Sequence, residues 1–406
     1  MENDCERVIH QKKARGFLFA ILFANFFRNL GVSIVDIGLP QFVLSLAGSL
    51  TSYGIIIGVF SITQAIFQFP MATASDRFGR KRMISIGLSI YIFGTFLCYL
   101  AQNLIQLIIF RAIQGAGAYS SILQAMIGDY YRKEQGKGMS LYSFSLLIGY
   151  FGGIIIGGYI SYYLGFRTIF LISSILGMVS ITLILIFLKD PKNILIDFNS
   201  NEEKNINKLK LKASDIKILL NEKKFKIGVL INTIRWFLFS GVIAYLIWVL
   251  QIYFGLNQIE TSYLLILVVS VFTTFVVISG ELVDNFGSIR ITLIGQIIII
   301  NFGFLFLIVS FTGSLILFLI ATIFSGIGFA LYQTSANAYL LKVIEETNSD
   351  LKGTGFGFNN AIGFFFGALG PMIICYSGEF NIFIPYYFIA ILVSISFVLT
   401  LKYLKN

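Results

Sequence analysis

The sequence predicts an all-α membrane protein in which twelve transmembrane helices form two similar six-helix bundles. Of the 406 residues, 57% are hydrophobic and only 12% are charged, whereas a soluble domain carries about 25% charged residues to meet water. Long stretches contain no charge, and spanning a bilayer needs about 20 mostly apolar residues. At roughly 30 residues for each span with its loop, the chain has room for about twelve helices.

The apolar segments fall into two groups of six, separated by one long polar segment. The predicted spans are 17–39, 52–73, 83–101, 104–126, 139–161, 166–188, 227–250, 261–283, 290–311, 314–340, 354–376 and 382–404. We therefore expect an N-terminal half (1–188), a cytoplasmic linker (189–226) and a C-terminal half (227–406). The run that begins at Phe17 is too long for a signal peptide and more spans follow it, so we expect it to be retained as the first helix.

Basic residues predict the orientation of the spans. With twelve spans, almost all of the 30 Lys and Arg residues fall on one side, and Arg167 falls on the other. Because basic loops face the cytoplasm, both termini should be cytoplasmic in a multi-pass protein of the plasma membrane. The net charge of +10 thus reflects topology, and no exposed basic domain is left to bind nucleic acid.

Three short patterns recur in the same order in both halves at a nearly constant separation. The pairs are Asn25-Phe-Phe-Arg28 with Asn232-Thr-Ile-Arg235, Thr51-Ser-Tyr53 with Thr261-Ser-Tyr263, and Asp76-Arg-Phe-Gly79 with Asp284-Asn-Phe-Gly287. Repeated halves in a transporter place the substrate path at their interface, which opens alternately to each side of the membrane. The repeat therefore favours a carrier.

The most specific motif follows the second span. The segment Asp76-Arg77-Phe78-Gly79-Arg80-Lys81-Arg82, with Ala72 before it, resembles the Gly-x-x-x-Asp-Arg-x-Gly-Arg-Arg/Lys loop of the major facilitator superfamily, with alanine in place of the first glycine. Glycine suits a tight cytoplasmic turn, and a carboxylate at a helix end can meet the N-terminus of another helix. The resemblance implies the major facilitator fold and a transporter without a cofactor, and we expect a monomer.

Two further patterns are similar to those of drug/proton exchangers in that superfamily. The fourth span carries Arg111-Ala-Ile-Gln114-Gly-Ala-Gly117, which is similar to their Arg-x-x-Gln-Gly-x-Gly pattern. The fifth span matches Gly-x-x-x-Gly-Pro-x-x-Gly-Gly at Gly149, Gly153, Gly157 and Gly158. Ile154 replaces the proline, whereas Gly370-Pro371 keeps the pair in the eleventh span. The missing proline weakens the case for antiport, and close packing between helices explains the glycines equally well.

Few ionisable residues fall within the predicted spans. Arg28 lies ~16 Å into the first helix, near the midplane, and Arg235 lies comparably in the seventh. Such charges cost several kcal/mol when they face lipid, so we expect them to face a cavity or a partner. Bonding carbonyls between helices is the alternative role for both arginines. The residues predicted to line the substrate cavity are Asn25, Arg28, Gln114, Asn232 and Arg235.

Asp36 is the predicted proton-coupling carboxylate, with Arg111 as its tuning partner. Both lie toward the outer side, Arg111 about 10 Å from the outer end of its span. Burial favours the protonated carboxyl, whereas a nearby guanidinium favours the carboxylate, and this balance would let Asp36 exchange protons. The alternative is a hydrated Asp36 at the outer interface, four residues before Pro40. Glu281 is next in line for the proton.

A second group of residues is predicted to act in gating. Asp76, Arg80 and Asp129 should form a cytoplasmic latch, because the loops that carry them adjoin the ends of the second and fourth helices. The full set of gating and motif residues is Asp76, Arg77, Gly79, Arg80, Asp129, Gly153, Gly157, Gly158, Asp284 and Gly287.

The leading hypothesis is proton-coupled export of amphipathic small molecules across the lipid bilayer. The alternative is a carrier of a metabolite such as an organic anion, held by Arg28 and Arg235, or a sugar. His10 is the single histidine and the three cysteines are far apart, so we expect no metal site, cofactor or disulfide framework. We found no Gly-x-x-x-x-Gly-Lys-Ser/Thr loop for a primary pump and no nucleophile–base constellation for an enzyme.

An epitope tag in the 189–226 linker should be labelled only after cells are permeabilised, because the twelve-span topology places the linker inside. Antibody labelling of intact and permeabilised cells measures this. Labelling from outside intact cells would contradict both the topology and the division into halves.

Overall fold

The computed structural model describes residues 2–130, 135–188, 213–347 and 351–403. Within these ranges the chain is helical and contains no strand, and eleven helices are long and apolar enough to cross a membrane. The helices are α1 (Glu2–Ser45), α2 (Leu50–Phe78), α3 (Arg80–Leu100), α4 (Leu104–Ala116), α5 (Ser120–Tyr130), α6 (Gln135–Tyr163), α7 (Thr168–Phe187), α8 (Ala213–Asn221), α9 (Lys223–Trp248), α10 (Gln258–Phe286), α11 (Ser288–Thr312), α12 (Leu315–Thr347), α13 (Lys352–Phe380) and α14 (Ile384–Tyr403).

The predicted fourth span is divided into two helices, which is why only eleven helices reach the length of a span. Each piece, α4 and α5, is shorter than a full crossing, and together they cover the predicted span. The residues from Gly117 to Tyr119 between them are not helical. Gly115 precedes the break and Gly117 begins it, and glycine lowers helix stability by about 1 kcal/mol relative to alanine. The twelve predicted crossings are thus accounted for.

Two boundaries differ from the sequence prediction. The helix α1 begins at Glu2, well before the predicted start of the first span at Phe17, and it continues through Pro40 to Ser45, beyond the predicted end at 39. Because proline has no N–H, the carbonyl of Asp36, four residues earlier, lacks its usual helical donor. The end of the predicted 189–226 linker is helical, forming α8 and the start of α9, whereas residues 189–212 lie outside the described ranges.

The chain divides into two compact units. The first comprises the described residues of Met1–Gly48, Val59–Lys208 and Asn257–Ser262, and the second those of Ser49–Gly58, Leu209–Leu256 and Tyr263–Asn406. In the first unit, α1 packs on α6 and α7, and α3 packs on α4 and α7. In the second, α9 packs on α13 and α14, and α11 packs on α12 and α14. Each unit therefore repeats the same pattern of helix neighbours.

Glycines bring the backbones of α1 and α6 together. A Cβ on Gly153 would collide with the carbonyl oxygen of Leu30 and the hydroxyl of Ser33, and one on Gly157 would lie 2.7 Å from Cα of Ile34. Gly149 lies against the carbonyl of Phe26 in the same way. Close packing thus accounts for these three motif glycines.

The second unit repeats this contact between α9 and α13. A Cβ on Gly370 would collide with the carbonyl oxygen of Phe237. Phe237 follows Asn232 by five residues, as Leu30 follows Asn25, so Gly370-Pro371 occupies the place of Gly153-Ile154. The sequence comparison of the two motifs is consistent with this geometry.

A second glycine contact also recurs, and the sequence patterns did not reveal it. A Cβ on Gly117 would lie 2.5 Å from the carbonyl oxygen of Gly87 on α3. In the other unit, a Cβ on Gly328 of α12 would lie 2.8 Å from the carbonyl oxygen of Gly295 on α11. The internal repeat therefore extends to how the third and fourth spans of each half meet.

We expect Gly153→Ala to destabilise the protein by about 1–3 kcal/mol, because the added methyl overpacks the α1–α6 contact. The adjacent Gly152→Ala is the matched control, since a Cβ there meets only Cδ1 of Leu30 at 3.8 Å and alanine favours the helix. Unfolding midpoints in detergent compare the two. Equal midpoints would show that the backbone contact does not limit stability.

Candidate functional site

Asn25 anchors the polar cluster of the first unit. Its fully buried amide donates to the carbonyl oxygen of Tyr142 (3.1 Å) and the hydroxyl of Ser145 (2.8 Å), both on α6. Asn29, one turn later, donates to the backbone and side-chain oxygens of Asn25 at 2.7 and 3.0 Å. The asparagine predicted to line the cavity therefore also fixes α1 against α6.

Arg28 projects from this anchored turn. Its Nη1 lies 3.4 Å from Oδ1 of Asn29, and its guanidinium lies 5.7 Å from the ring centre of Tyr119. The side chain is partly exposed, and its Nε is buried without a hydrogen-bond partner. Arg28 thus keeps unused donor capacity.

The second unit repeats the arrangement with tighter burial. Asn232 is fully buried and donates to the carbonyl oxygens of Gly228 and Ala336, each at 3.3 Å. Arg235 is 1% exposed and donates to Oδ1 of Asn232 at 3.3 Å and Oε1 of Gln333 at 3.0 Å. An asparagine therefore supports the arginine in both units, directly through Asn232 for Arg235 and through Asn29, which is itself bonded to Asn25, for Arg28.

Arg111 is the centre of a separate buried network. It is 4% exposed and donates to Oε1 of Gln114 at 2.8 Å, and Gln114 donates to the hydroxyl of Thr95 on α3, also at 2.8 Å. The guanidinium lies 4.6 Å from the ring centre of Phe60. Gln114 therefore supports Arg111 and joins α4 to α3.

Asp36 accepts a hydrogen bond from another tyrosine of α6. The hydroxyl of Tyr150 lies 3.3 Å from Oδ2 of Asp36, and Asp36 as a whole residue is half-buried. Arg111 is near enough to act electrostatically on Asp36, but its hydrogen bond goes to Gln114. The structure thus brings Asp36 and Arg111 into one region without a direct ion pair.

The motif loops place two glycines where only glycine is favourable. Gly79 and Gly287 have φ values of 94° and 85° and stand immediately before α3 and α11. Nothing lies within 4 Å of a Cβ on Gly287, so its backbone conformation, rather than crowding, favours glycine there.

The structure describes the predicted gating side chains only in part. Lys81 donates to the carbonyl oxygen of Leu185 at 2.7 Å, near the end of α7. Arg77 and Asp284 are exposed, Arg80 is partly exposed, and Gly158 lies against Ser262 at the start of α10. The side chains of Asp76 and Asp129 lie outside the described residues, so the latch stays a prediction.

Several functional candidates were missed by the sequence patterns. Tyr150, Thr95 and Gln333 each provide a direct partner to a predicted residue. The signal that could have indicated each of these residues is a polar side chain inside an otherwise apolar span. The sequence does not indicate which of the many tyrosines and threonines meets a charge. The described residues contain no cluster suited to a metal ion.

Comparisons with known proteins give a consistent family assignment. The family model described as Major Facilitator Superfamily matches residues 21–371. An uncharacterized transporter of Buchnera aphidicola subsp. Schizaphis graminum is 32% identical over 213 residues, or 52% of each chain. The chain thus spans about half the length of this curated relative.

Two more comparisons bear on function and fold. The multidrug export protein EmrB of Haemophilus influenzae is 28% identical over 162 residues, covering 39% of this chain and 32% of the relative. The crystal structure of a bacterial homolog of the human lysosomal transporter Spinster, inward-facing and unoccupied, superposes with a TM-score of 0.79 at 15% identity. The superposition covers 97% of this chain and 98% of that one. At this identity the likeness shows the fold.

We expect Gln114→Leu to destabilise the protein by about 1–3 kcal/mol, because it leaves the buried guanidinium of Arg111 without its hydrogen-bond acceptor. Gln106→Leu is the control, since Gln106 bonds only near the start of the same helix. Unfolding midpoints measure the difference. A Gln114→Leu midpoint equal to that of the control would mean that water or another group supports Arg111.

Proposed function

Because the chain belongs to the major facilitator superfamily, we propose that it is a secondary active transporter that exports amphipathic small molecules by alternating access, coupled to protons through Asp36. The proposal places the protein in the plasma membrane with both termini in the cytoplasm. It divides the chain into two halves, 1–188 and 227–406, joined by a cytoplasmic linker. It also keeps Asp76, Arg80 and Asp129 as the cytoplasmic latch.

The observation that carries the proposal is the environment of Asp36. A carboxyl group within a membrane helix is costly unless it serves a function or is paired. Within the described part of the chain, the hydrogen bond to this carboxyl comes from the neutral hydroxyl of Tyr150, so the group is held in position without being neutralised. This arrangement leaves the carboxylate available to accept a proton.

The protonation state of Asp36 supplies a physical basis for coupling. A charged carboxylate resists transfer to a dry environment, whereas the neutral acid transfers at much lower cost. Protonation therefore favours the occluded state that must precede reorientation. Deprotonation restores the attraction to Arg111, and Tyr150 keeps the carboxyl oriented in both states by donating or accepting through its hydroxyl.

Pro40 adds to this effect. Since it gives no N–H to the carbonyl of Asp36, the turn of α1 that carries the carboxyl has an extra hydrogen-bond acceptor. A proton on Asp36 or a water molecule can use this acceptor. The turn is therefore more polar than an uninterrupted helix would be.

The export direction and the substrate class rest on resemblance. The fourth-span pattern around Arg111 is similar to that of drug/proton exchangers, and EmrB is a multidrug export protein. A second candidate function, carriage of an organic anion, is favoured by the unpartnered donors of Arg28 and Arg235.

We expect Asp36→Asn to abolish gradient-driven transport while counterflow exchange of the same probe continues, because asparagine fills the site but cannot take up a proton. Everted vesicles that accumulate ethidium under an imposed pH gradient measure the first property, and ethidium-loaded vesicles without a gradient measure the second.

Glu346→Gln is the control, because Glu346 is an exposed carboxylate near the end of α12 that belongs to no predicted site, and it should retain gradient-driven uptake. Tyr150→Phe should reduce coupling without abolishing it, since the carboxyl remains. Full gradient-driven transport by Asp36→Asn would mean that another group carries the coupled proton, and Glu281 would be tested next.

A further inference from the structure

Arg235 is a buried cation that has no carboxylate partner among the residues the structure describes. It is 1% exposed, and its hydrogen bonds go to the side-chain amide oxygens of Asn232 and Gln333. Among the described side chains, none of the acidic groups of the second unit forms an ion pair with it. Neutral amides hold the guanidinium in place but leave its positive charge uncompensated, which is costly in a low-dielectric interior.

Arg111 in the other unit shows the contrast. It is also almost fully buried, but the carboxyl of Asp36 acts on it electrostatically. Both arginines have an amide partner, Gln114 and Gln333 respectively. They differ in the counter-charge: a described carboxyl lies near Arg111, whereas none of the described carboxyls pairs with Arg235.

Unused donors remain next to this charge. Nη2 of Arg235 and Nε1 of Trp236 are both buried without a hydrogen-bond partner. The guanidinium lies 4.9 Å from the ring centre of Trp236. Buried donors of this kind are rare in native proteins unless a ligand or water satisfies them.

The residues around Arg235 are aromatic, and several of them are partly exposed. The ring centre of Trp236 lies 5.0 Å from that of Phe364, and Phe239 lies 5.1 Å from Phe272. Trp236, Phe239 and Gln333 are each partly exposed. An incoming group can therefore reach the guanidinium by displacing the flexible amide of Gln333, and an apolar body would remain among the rings.

We propose that Arg235, with Trp236 and Gln333, binds the anionic group of an amphipathic organic anion whose aromatic body packs on the neighbouring rings. A carboxylate oxygen would replace the Gln333 oxygen as acceptor and form a stronger, charge-assisted bond. The inference rests on the proposed transport function and assigns to this site one class of its amphipathic substrates, the organic anions.

Trp236 makes this site observable, because Trp248 is the other of the two tryptophans. In the full-length Trp248→Phe protein, iodine on a bound ligand should quench Trp236 by contact. The probes are 4-iodobenzoate, which is anionic at pH 7, and 4-iodobenzamide, its neutral analogue. We expect saturable quenching by 4-iodobenzoate with an apparent affinity at least about tenfold tighter than that of the amide.

Substitutions then assign the preference to one residue. Arg235→Gln should remove the preference for the anion, and Arg235→Lys should retain part of it because the charge remains. Arg290→Gln is the control, since this arginine of α11 is exposed, and it should leave the preference unchanged. If Arg235→Gln does not fold, two measurements still test the proposal. One is the preference in Arg235→Lys, and the other is the comparison of the two probes with Arg235 in place.

Equal quenching by the two probes, or a preference that survives in Arg235→Gln, would overturn the anion site. This failure is distinguishable from failure of the proposed function. If Asp36→Asn loses gradient-driven uptake and the protein does not prefer 4-iodobenzoate, proton coupling through Asp36 is supported and the anion site is contradicted. If the protein prefers 4-iodobenzoate and Asp36→Asn transports normally, the anion site is supported and the assignment of Asp36 as the proton-coupling carboxyl is contradicted.

Discussion

A polar side chain inside a lipid-covered helix must find its partner within the protein, because hydrocarbon offers no hydrogen bonds. Asn25 and Asn232 meet this constraint by donating to carbonyl oxygens of neighbouring helices. Each asparagine in turn supports the local geometry of an arginine one turn later. The residues that secure helix packing therefore also position the charges, so the candidate site and the fold have a common physical origin.

Glycine contacts make that arrangement possible. Where Gly153 meets the backbone at Leu30, α1 and α6 approach closely enough for the short side chain of Asn25 to reach the carbonyl of Tyr142. The equivalent contact at Gly370 brings α9 and α13 together in the other unit. The motif glycines thus contribute to the site by setting distances between helices rather than by touching a substrate.

Much of the fold could be predicted, because membrane spans and internal repeats leave strong signals in composition and order. The positive φ values of Gly79 and Gly287 were implied by their places in matching turns. The break from Gly117 to Tyr119 could not be predicted, since hydropathy is continuous through 104–126 and does not report backbone geometry. The candidate site was predicted in part: Arg28 and Arg235 follow from being charges in apolar spans. Tyr150 and Gln333 depend on which helices lie side by side, and a single sequence does not encode that in any local pattern.

The divided fourth span also makes the two halves mechanically unequal. Its counterpart α12 is one continuous helix of 33 residues, so a tilt at one end carries along its whole length. The pieces α4 and α5 are separated by the non-helical residues Gly117 to Tyr119, so no continuous series of helical hydrogen bonds couples one to the other. A displacement of Arg111 on α4 is therefore not transmitted to the end of α5 along one rigid helix, as it would be for a residue at the corresponding place in α12.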